Sequence, residues 1–459
     1  MRTSLGNSVV TTTFSGIFVK RKGTEISTVL TSLNASGCTV LRGLSCTNNQ
    51  LTSLDVSGCT SLAFLNCEDD GLTSLDVSKW DTSNVISFST LFNGCRKLTN
   101  IDVSKWDTHN ANNIAYMFQN CTGLTEIDVS NWDTGKVKNT EYMFQNCKVT
   151  YLDVSKWKLN LLQNGYSMFQ GCTGLTSLDV SGWDIEAITN SANMFQNCKA
   201  MTSLDVSGWK LNSVTTANNM FQACAGLTSL DVSGWGMESA TTISSMFNGC
   251  TGLTSLDIDK WNITNALLNM QQAFYGCTGL TSLDFSNWDM SSVTSFGHFC
   301  VNCSSLKSII GLNLASASAF NGSSLTAIAF NGCTALETIE DIDVSYTVAM
   351  GSKYPNSIKD EFWITAFWKW FSGLSNLKNV TFKGQVGVWD TLNMYVILAG
   401  CDTSKFTLET WESFASVFPA TSTDKTIRMG KSQANLDAVP SSIKTALINK
   451  GYTLTYSAS

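Results

Sequence analysis

The chain has 459 residues, of which 43% are hydrophobic and only 14% charged, with a formal net charge of -7. That apolar share is enough for a large core, and the lack of a basic excess argues against nucleic acid as a partner. Only two histidines occur, His109 and His298, which removes most histidine-based catalysis and metal ligation.

Residues 1–28 show no repeat and read as an N-terminal segment or cap. Met1 to Lys20 lacks the basic end and apolar stretch of a secretory signal, and no apolar run approaches the ~18 residues of a membrane span. From 29 to 80 a short repeat sets in. Asn34, Asp55 and Asp76 are 21 apart, and Leu41-x-x-Leu44-x-Cys46-x-x-Asn49-x-Leu51 follows the spacing of a leucine-rich repeat.

A longer repeat occupies 81–345. Its phrase Leu-Thr-Ser-Leu-Asp-Val-Ser-Gly-Trp, or a close variant, places Asp76, Asp102, Asp128, Asp153, Asp179, Asp205, Asp231, Asp257 and Asp284 at intervals of 25 to 27, with a tryptophan four residues after each. Cysteines keep the same beat from Cys95 to Cys303. Leu72, Leu75 and Val77 suit a strand with one buried side. Val85, Phe88, Leu91, Phe92 and Cys95 are spaced three or four apart, which predicts a helical stripe of two to three turns.

One coil cannot enclose its own apolar side chains, so neighbours must stack. The fold expected is an α/β solenoid: a leucine-rich-repeat stack with a parallel sheet on one face, short helices on the other and a small C-terminal α/β module as cap. A dozen coils ~4.8 Å apart would make a rod on the order of 60 Å long. After 345 the beat lapses, and 346–405 holds irregular final coils with an aromatic insert that includes Trp363 and Trp368. In 406–459 the predicted elements are a helix over 408–418, a strand over 426–429, a helix over 440–450 and a strand over 452–456. Pro440 suits a first helical turn and Gly451 a helix stop.

The recurring Met-Phe-x-x-Cys-x-x-Leu-Thr-x-Leu-Asp-Val-Ser-x-Trp-Asp block, as at Met117 to Asp133 and Met168 to Asp184, resembles the BspA-like leucine-rich-repeat surface proteins over residues 30 to about 340. The resemblance implies adhesion or partner binding at a surface, without catalysis. Such proteins usually carry an export signal or lipid anchor, so a phage-borne or otherwise exported product stays open beside a cell-surface one.

The cysteine column, with Cys121, Cys172, Cys198 and Cys224, reads as buried free thiols. Parallel Cβ atoms ~4.8 Å apart are too distant for the ~3.8 Å of a disulfide. Cys300-x-x-Cys303 stands alone and is weak as a zinc signal. Trp106, Trp132, Trp183 and Trp209 read as a structural ladder, with glycan stacking as the alternative. The candidate binding residues are the column aspartates Asp102, Asp128, Asp179, Asp205 and Asp231, the loop residue His109, and Trp363 with Trp368. For the aspartates two readings stay open: each carboxylate caps its own turn, or the stripe takes calcium or a periodic ligand. No cofactor is otherwise expected, no catalytic or phosphate-binding motif is present, and His298 reads as replacing a repeat methionine.

The strand face reads as nearly uniform, able to meet only something periodic such as a polysaccharide or a lattice. Irregular recognition is expected in the post-tryptophan loops, the aromatic insert or the N-terminal segment. Two partner classes follow: a protein or glycan at a cell surface, or neighbouring subunits of a virion or other extracellular assembly.

Overall fold

The computed structural model describes residues 16–18, 31–47, 50–68, 71–264, 266–290, 292–312, 330–343, 374–383, 394–395, 402–421, 425–430 and 432–456. The N-terminal segment apart from 16–18, and the insert bearing Trp363 and Trp368, lie outside the described residues. The chain forms two compact units, Met1–Leu227 and Thr228–Ser459.

In the first unit neighbouring coils bond in parallel on two sides, two by two on one and continuously along the other. One side carries the short strands of the Leu-Thr-x-Leu-Asp phrase: Ser32–Asn34 pairs with Ser53–Asp55, Ser74–Leu75 with Asn100–Ile101, and Ser177–Leu178 with Ser203–Leu204. The other side starts as a sheet of Gly16–Phe18, Gly43–Ser45 and Phe64–Asn66. It continues as single bridges from Phe64 to Ser87, Asn113, Asn139, Asn164, Asn190 and Thr216. Between the two sides lie the columns that the period marks. Trp106, Trp132, Trp183 and Trp209, and Cys121, Cys172, Cys198 and Cys224, are all buried.

The short helices expected on the second side do not form; the described residues there are turns. Leu91 and Cys95 donate to the carbonyls three residues back, on Phe88 and Phe92, which gives the apolar spacing of a helix. The amides of Phe88, Thr90, Phe92 and Gly94 donate instead to the next coil, at Asn113, Ala115, Met117 and Gln119. Two left-handed residues per coil break the helical path. One column is Thr90, Tyr116, Tyr142, Ser167, Asn193 and Asn219; the other, just before each cysteine, is Gly94, Asn120, Asn146, Gly171, Asn197 and Ala223.

Thickness explains why turns win. An α-helix is ~10 Å across, whereas paired strands lie ~4.8 Å apart. A helix on each coil would fan the coils apart on that side. The flat turn segment is as thin as a strand, so both sides stay hydrogen-bonded. Side chains add their own ladders: Gln119 donates to Gln145, Gln145 to Gln170, Gln170 to Gln196 and Gln196 to Gln222.

The second unit repeats the coil. Ile243, Ser245, Phe247 and Gly249 donate to Asn269, Gln271, Ala273 and Tyr275. Its strands Ser282–Asp284, Ser308–Ile310, Thr338–Asp343 and Asn379–Lys383 form one parallel sheet in that order. His298 aligns with the left-handed Ser245 and Gln272 rather than with a methionine, and φ is 56° there; Phe299 takes the methionine's place in the core.

The last strand of that sheet would present open amides, a template for unwanted pairing. Helix α1 (Leu408–Ser416) closes it. The Thr410 hydroxyl accepts from the Val380 amide and the Ser413 hydroxyl from that of Phe382. Beyond it, Met394–Tyr395, Lys425–Arg428 and Tyr452–Thr455 make a parallel sheet, with helices α2 (Gln433–Ala438) and α3 (Ser441–Asn449) between its strands. All four predicted C-terminal elements match these within a residue or two. The helix over 440–450 ends at Gly451 (φ 95°), where glycine escapes the strain a Cβ would meet. Helix α2 was missed because it is only six residues long.

Candidate functional site

The aspartates stand outward on the strand side, one column apart from the buried leucines. Each closes on its own turn. In Asp102, Asp128, Asp179, Asp205 and Asp231, Oδ1 accepts both the amide and the hydroxyl of the serine two residues on, the hydroxyl at 2.6 or 2.7 Å. The Ser104 hydroxyl, and then its amide, hold the Asp102 carboxyl below the usual range; Ser207 does the same for Asp205. Like charges so close together are tolerable because donors stabilise each one locally. No group of three or more metal-ligating side chains is gathered among the described residues.

The tryptophans of the column are buried and stacked on one another. Trp183 stacks 6.2 Å from Trp157 and 6.1 Å from Trp209, its plane nearly parallel to both. Indole N–H groups donate one coil back, Trp132 to Val103, Trp183 to Val154 and Trp209 to Val180. The cysteines among the described residues are free thiols with a further role that the sequence did not disclose. Cys121, Cys172, Cys198 and Cys224 donate to the carbonyls of Phe92, Phe144, Phe169 and Phe195 at 3.0–3.1 Å. Each of these carbonyls already accepts the amide three residues on, as Phe92 does from Cys95, and the thiol adds a second, small donor without the desolvation cost of a hydroxyl. Burial pushes the Cys172 and Cys224 thiols up to about 12, so they stay protonated and inert.

His109 is exposed and bonds Asp107 through Nδ1 at 2.6 Å. That pair trims the loop after Trp106, and the histidine is the main cause of a lowered Asp107 carboxyl.

The strand side is less uniform than the repeat suggests. Its second outward column is serine at 74, 177, 203, 229, 255 and 282, but three consecutive coils carry Asn100, Glu126 and Tyr151 there. These residues, with Ile101, Ile127, Ser130 and the carboxylates of Asp102, Asp128 and Asp153, line a groove of about 480 Å³. Tyr151 is 66% exposed, in an array whose neighbouring tryptophans are buried. Glu126 and Tyr151 face each other across a parallel bridge. The larger side chains rise beside small neighbours and leave the recess between them. Of the residues expected to bind, the structure places Asp102 and Asp128 here and leaves Asp179, Asp205 and Asp231 outside the groove. Asn100, Glu126 and Tyr151 were missed; the break in the serine column was the signal.

Two-sided parallel stacking with leucine, tryptophan and thiol columns defines a leucine-rich-repeat type of coil. The chain belongs to the family described as "Mycoplasma protein of unknown function, DUF285", which matches in overlapping copies over 59–178, 119–231, 163–282, 222–337 and 268–357. No curated protein matches the chain. Among solved structures, it is similar to the TLR13–ssRNA13 complex at 16% identity and a TM-score of 0.27, covering 80% of this chain and 57% of that one. It is similar to the functional domain of InlJ from Listeria monocytogenes, which includes a cysteine ladder, at 17% identity and a TM-score of 0.19, covering 84% and 74%. The ectodomain of the plant receptor kinase GASSHO1/SCHENGEN3 from Arabidopsis thaliana gives 12% identity and 0.15, covering 93% and 60%. The chain thus spans less than two thirds of the first and third of these.

Proposed function

We propose that this chain is a non-catalytic recognition scaffold that acts at a surface, with the strand side of its first unit as the contact. The observation that carries the reading is the groove under Asn100, Glu126 and Tyr151, where three coils in a row abandon the serine that most others carry. Rigid repeats with a local departure on an exposed side are how a scaffold presents a specific surface. The BspA-like character of the Met117 to Asp133 block supports adhesion to a cell-surface partner as the role. The reading needs no cofactor. No helix among the described residues is long and apolar enough to cross a membrane.

The test is attachment. Fluorescently labelled chain is incubated with a panel of bacterial and mammalian cells, and bound label is counted by flow cytometry. Wild type should bind at least one cell type, and the Asn100→Ser, Glu126→Ser, Tyr151→Ser triple variant should lose most of that signal. Equal binding by the two chains, or binding by neither, would overturn the reading.

A further inference from the structure

The geometry points to a saccharide as the ligand of the strand-side groove: a short pyranose chain, neutral or amino-substituted, seated on Tyr151 and hydrogen-bonded by Asn100, Glu126 and the adjoining aspartates. This rests on the reading of that side as a recognition surface and names the chemistry it would take.

Three observations converge. The first is the aromatic. A tyrosine stands 66% exposed where most coils place a serine, so most of its surface faces solvent. Its ring face is electron-rich, and the axial C–H groups of a pyranose are the complementary, weakly positive apolar surface. The second is unspent hydrogen-bonding capacity. Asp102, Asp128 and Asp153 each use Oδ1 for their own serine, and Oδ2 has no partner among the described residues. The side chains of Asn100 and Glu126 likewise have none there. Carboxylates are acceptor-only and an amide offers both donors and an acceptor, so the lining suits a ligand dense in hydroxyl donors. Charge-assisted bonds to ionised carboxylates are the stronger kind. The third is size: about 480 Å³ falls within the range of small-ligand sites.

The lining also selects. Four carboxylates, Asp102, Glu126, Asp128 and Asp153, repel acidic sugars and accept neutral or amino sugars. A cationic peptide would draw on the four carboxylates, three of which belong to a column that recurs at Asp179, Asp205 and Asp231, and would leave the Asn100 amide unused. What distinguishes these three coils is the ring, the amide and the longer carboxylate. That set fits a sugar better than a lysine-rich chain.

Calorimetric titration of the full chain decides the matter with four probes: the tetramer of N-acetylglucosamine, its deacetylated form, tetragalacturonate and tetralysine. The first two are expected to bind and tetragalacturonate to bind at least tenfold more weakly. Tyr151→Ser should weaken both glucosamine tetramers at least tenfold. Because serine is the residue that most other coils carry there, that variant should fold as wild type does by circular dichroism. Glu126→Ser should weaken the deacetylated tetramer more than the acetylated one. Tyr142→Asn, which copies the left-handed Asn193 on the turn side, should leave both titrations unchanged. Absence of binding by either glucosamine tetramer at millimolar concentration would overturn the inference. So would tetralysine binding as tightly as the sugars and indifferent to Tyr151→Ser. If the sugars fail while the triple serine variant still loses cell attachment, the saccharide is wrong and the recognition surface stands.

Discussion

Trp183 is the residue on which the packing argument can be tested most sharply. It is 2% exposed, sandwiched between Trp157 and Trp209, 6.3 Å from Phe169 and hydrogen-bonded to the Val154 carbonyl at 3.0 Å. Trp183→Ala removes the ring and opens a cavity between two coils, a change that costs about 3–5 kcal/mol. It also strips the Val154 carbonyl of its indole donor, which adds ~1 kcal/mol. The expected loss is therefore about 4–6 kcal/mol, comparable to the whole stability of many domains. Trp183→Phe keeps an aromatic between its neighbours and loses chiefly the N–H, so a loss of roughly 1–3 kcal/mol is expected. Long repeat arrays need not unfold in one step, so the measurement is native-state hydrogen exchange of peptides spanning 164–209 in rising urea. A Trp183→Ala loss below ~1 kcal/mol would refute the claim that the column holds neighbouring coils together.

Other consequences follow from the same contacts. A Cβ at Gly123 would sit 2.8 Å from the Leu98 carbonyl oxygen and 2.9 Å from that of Arg96; Gly123→Ala should therefore cost about 1–3 kcal/mol as overpacking against backbone, read as a drop in urea midpoint. The raised thiols make stability depend on alkaline pH. Above pH 9 the unfolded chain ionises its cysteines, while Cys172 and Cys224, pushed to about 12, remain protonated when folded. The unfolded state then binds fewer protons, so stability should fall as pH rises from 9 towards 12, checked by urea midpoints at pH 8 and 10.5. Ser104→Ala removes the main cause of the lowered Asp102 carboxyl, whose pKa should then rise towards the ordinary aspartate value in an NMR titration.

The sequence disclosed the columns because burial and period coincide. Leu178, Val180, Trp183 and Cys198 repeat at one interval, and the structure buries all four. It misled over the second side because turns closed by three-residue hydrogen bonds space Phe88, Leu91 and Cys95 as a helix would. The corrective sign was present: asparagine or glycine stands before the cysteine in Asn93-Gly94-Cys95, Gln119-Asn120-Cys121, Gln170-Gly171-Cys172 and Gln196-Asn197-Cys198. Those two residues tolerate left-handed backbone best, and a helix has no place for it two or three times over. The groove escaped notice for the opposite reason. Repetition draws attention to what recurs, whereas Asn100, Glu126 and Tyr151 matter because they do not. The role of each thiol as a donor to a phenylalanine carbonyl depends on the inter-coil geometry, which a single coil's sequence does not contain.

The central claim is that successive coils of the first unit stack in register along the strand side. Native thiols there are buried, so cysteines placed at Ser74 and Ser177, with Cys401 changed to alanine, can be spin-labelled selectively. These two positions are four coils apart, in the column that runs through residues 74, 100, 126, 151 and 177. Four steps of ~4.8 Å place their backbones about 20 Å apart, although about a hundred residues of chain separate them. Pulsed electron–electron distance measurement should therefore show one narrow peak near that spacing, broadened only by the label arms. A distribution centred far beyond it, or spread over tens of ångströms, would contradict the stack and the recognition surface built on it.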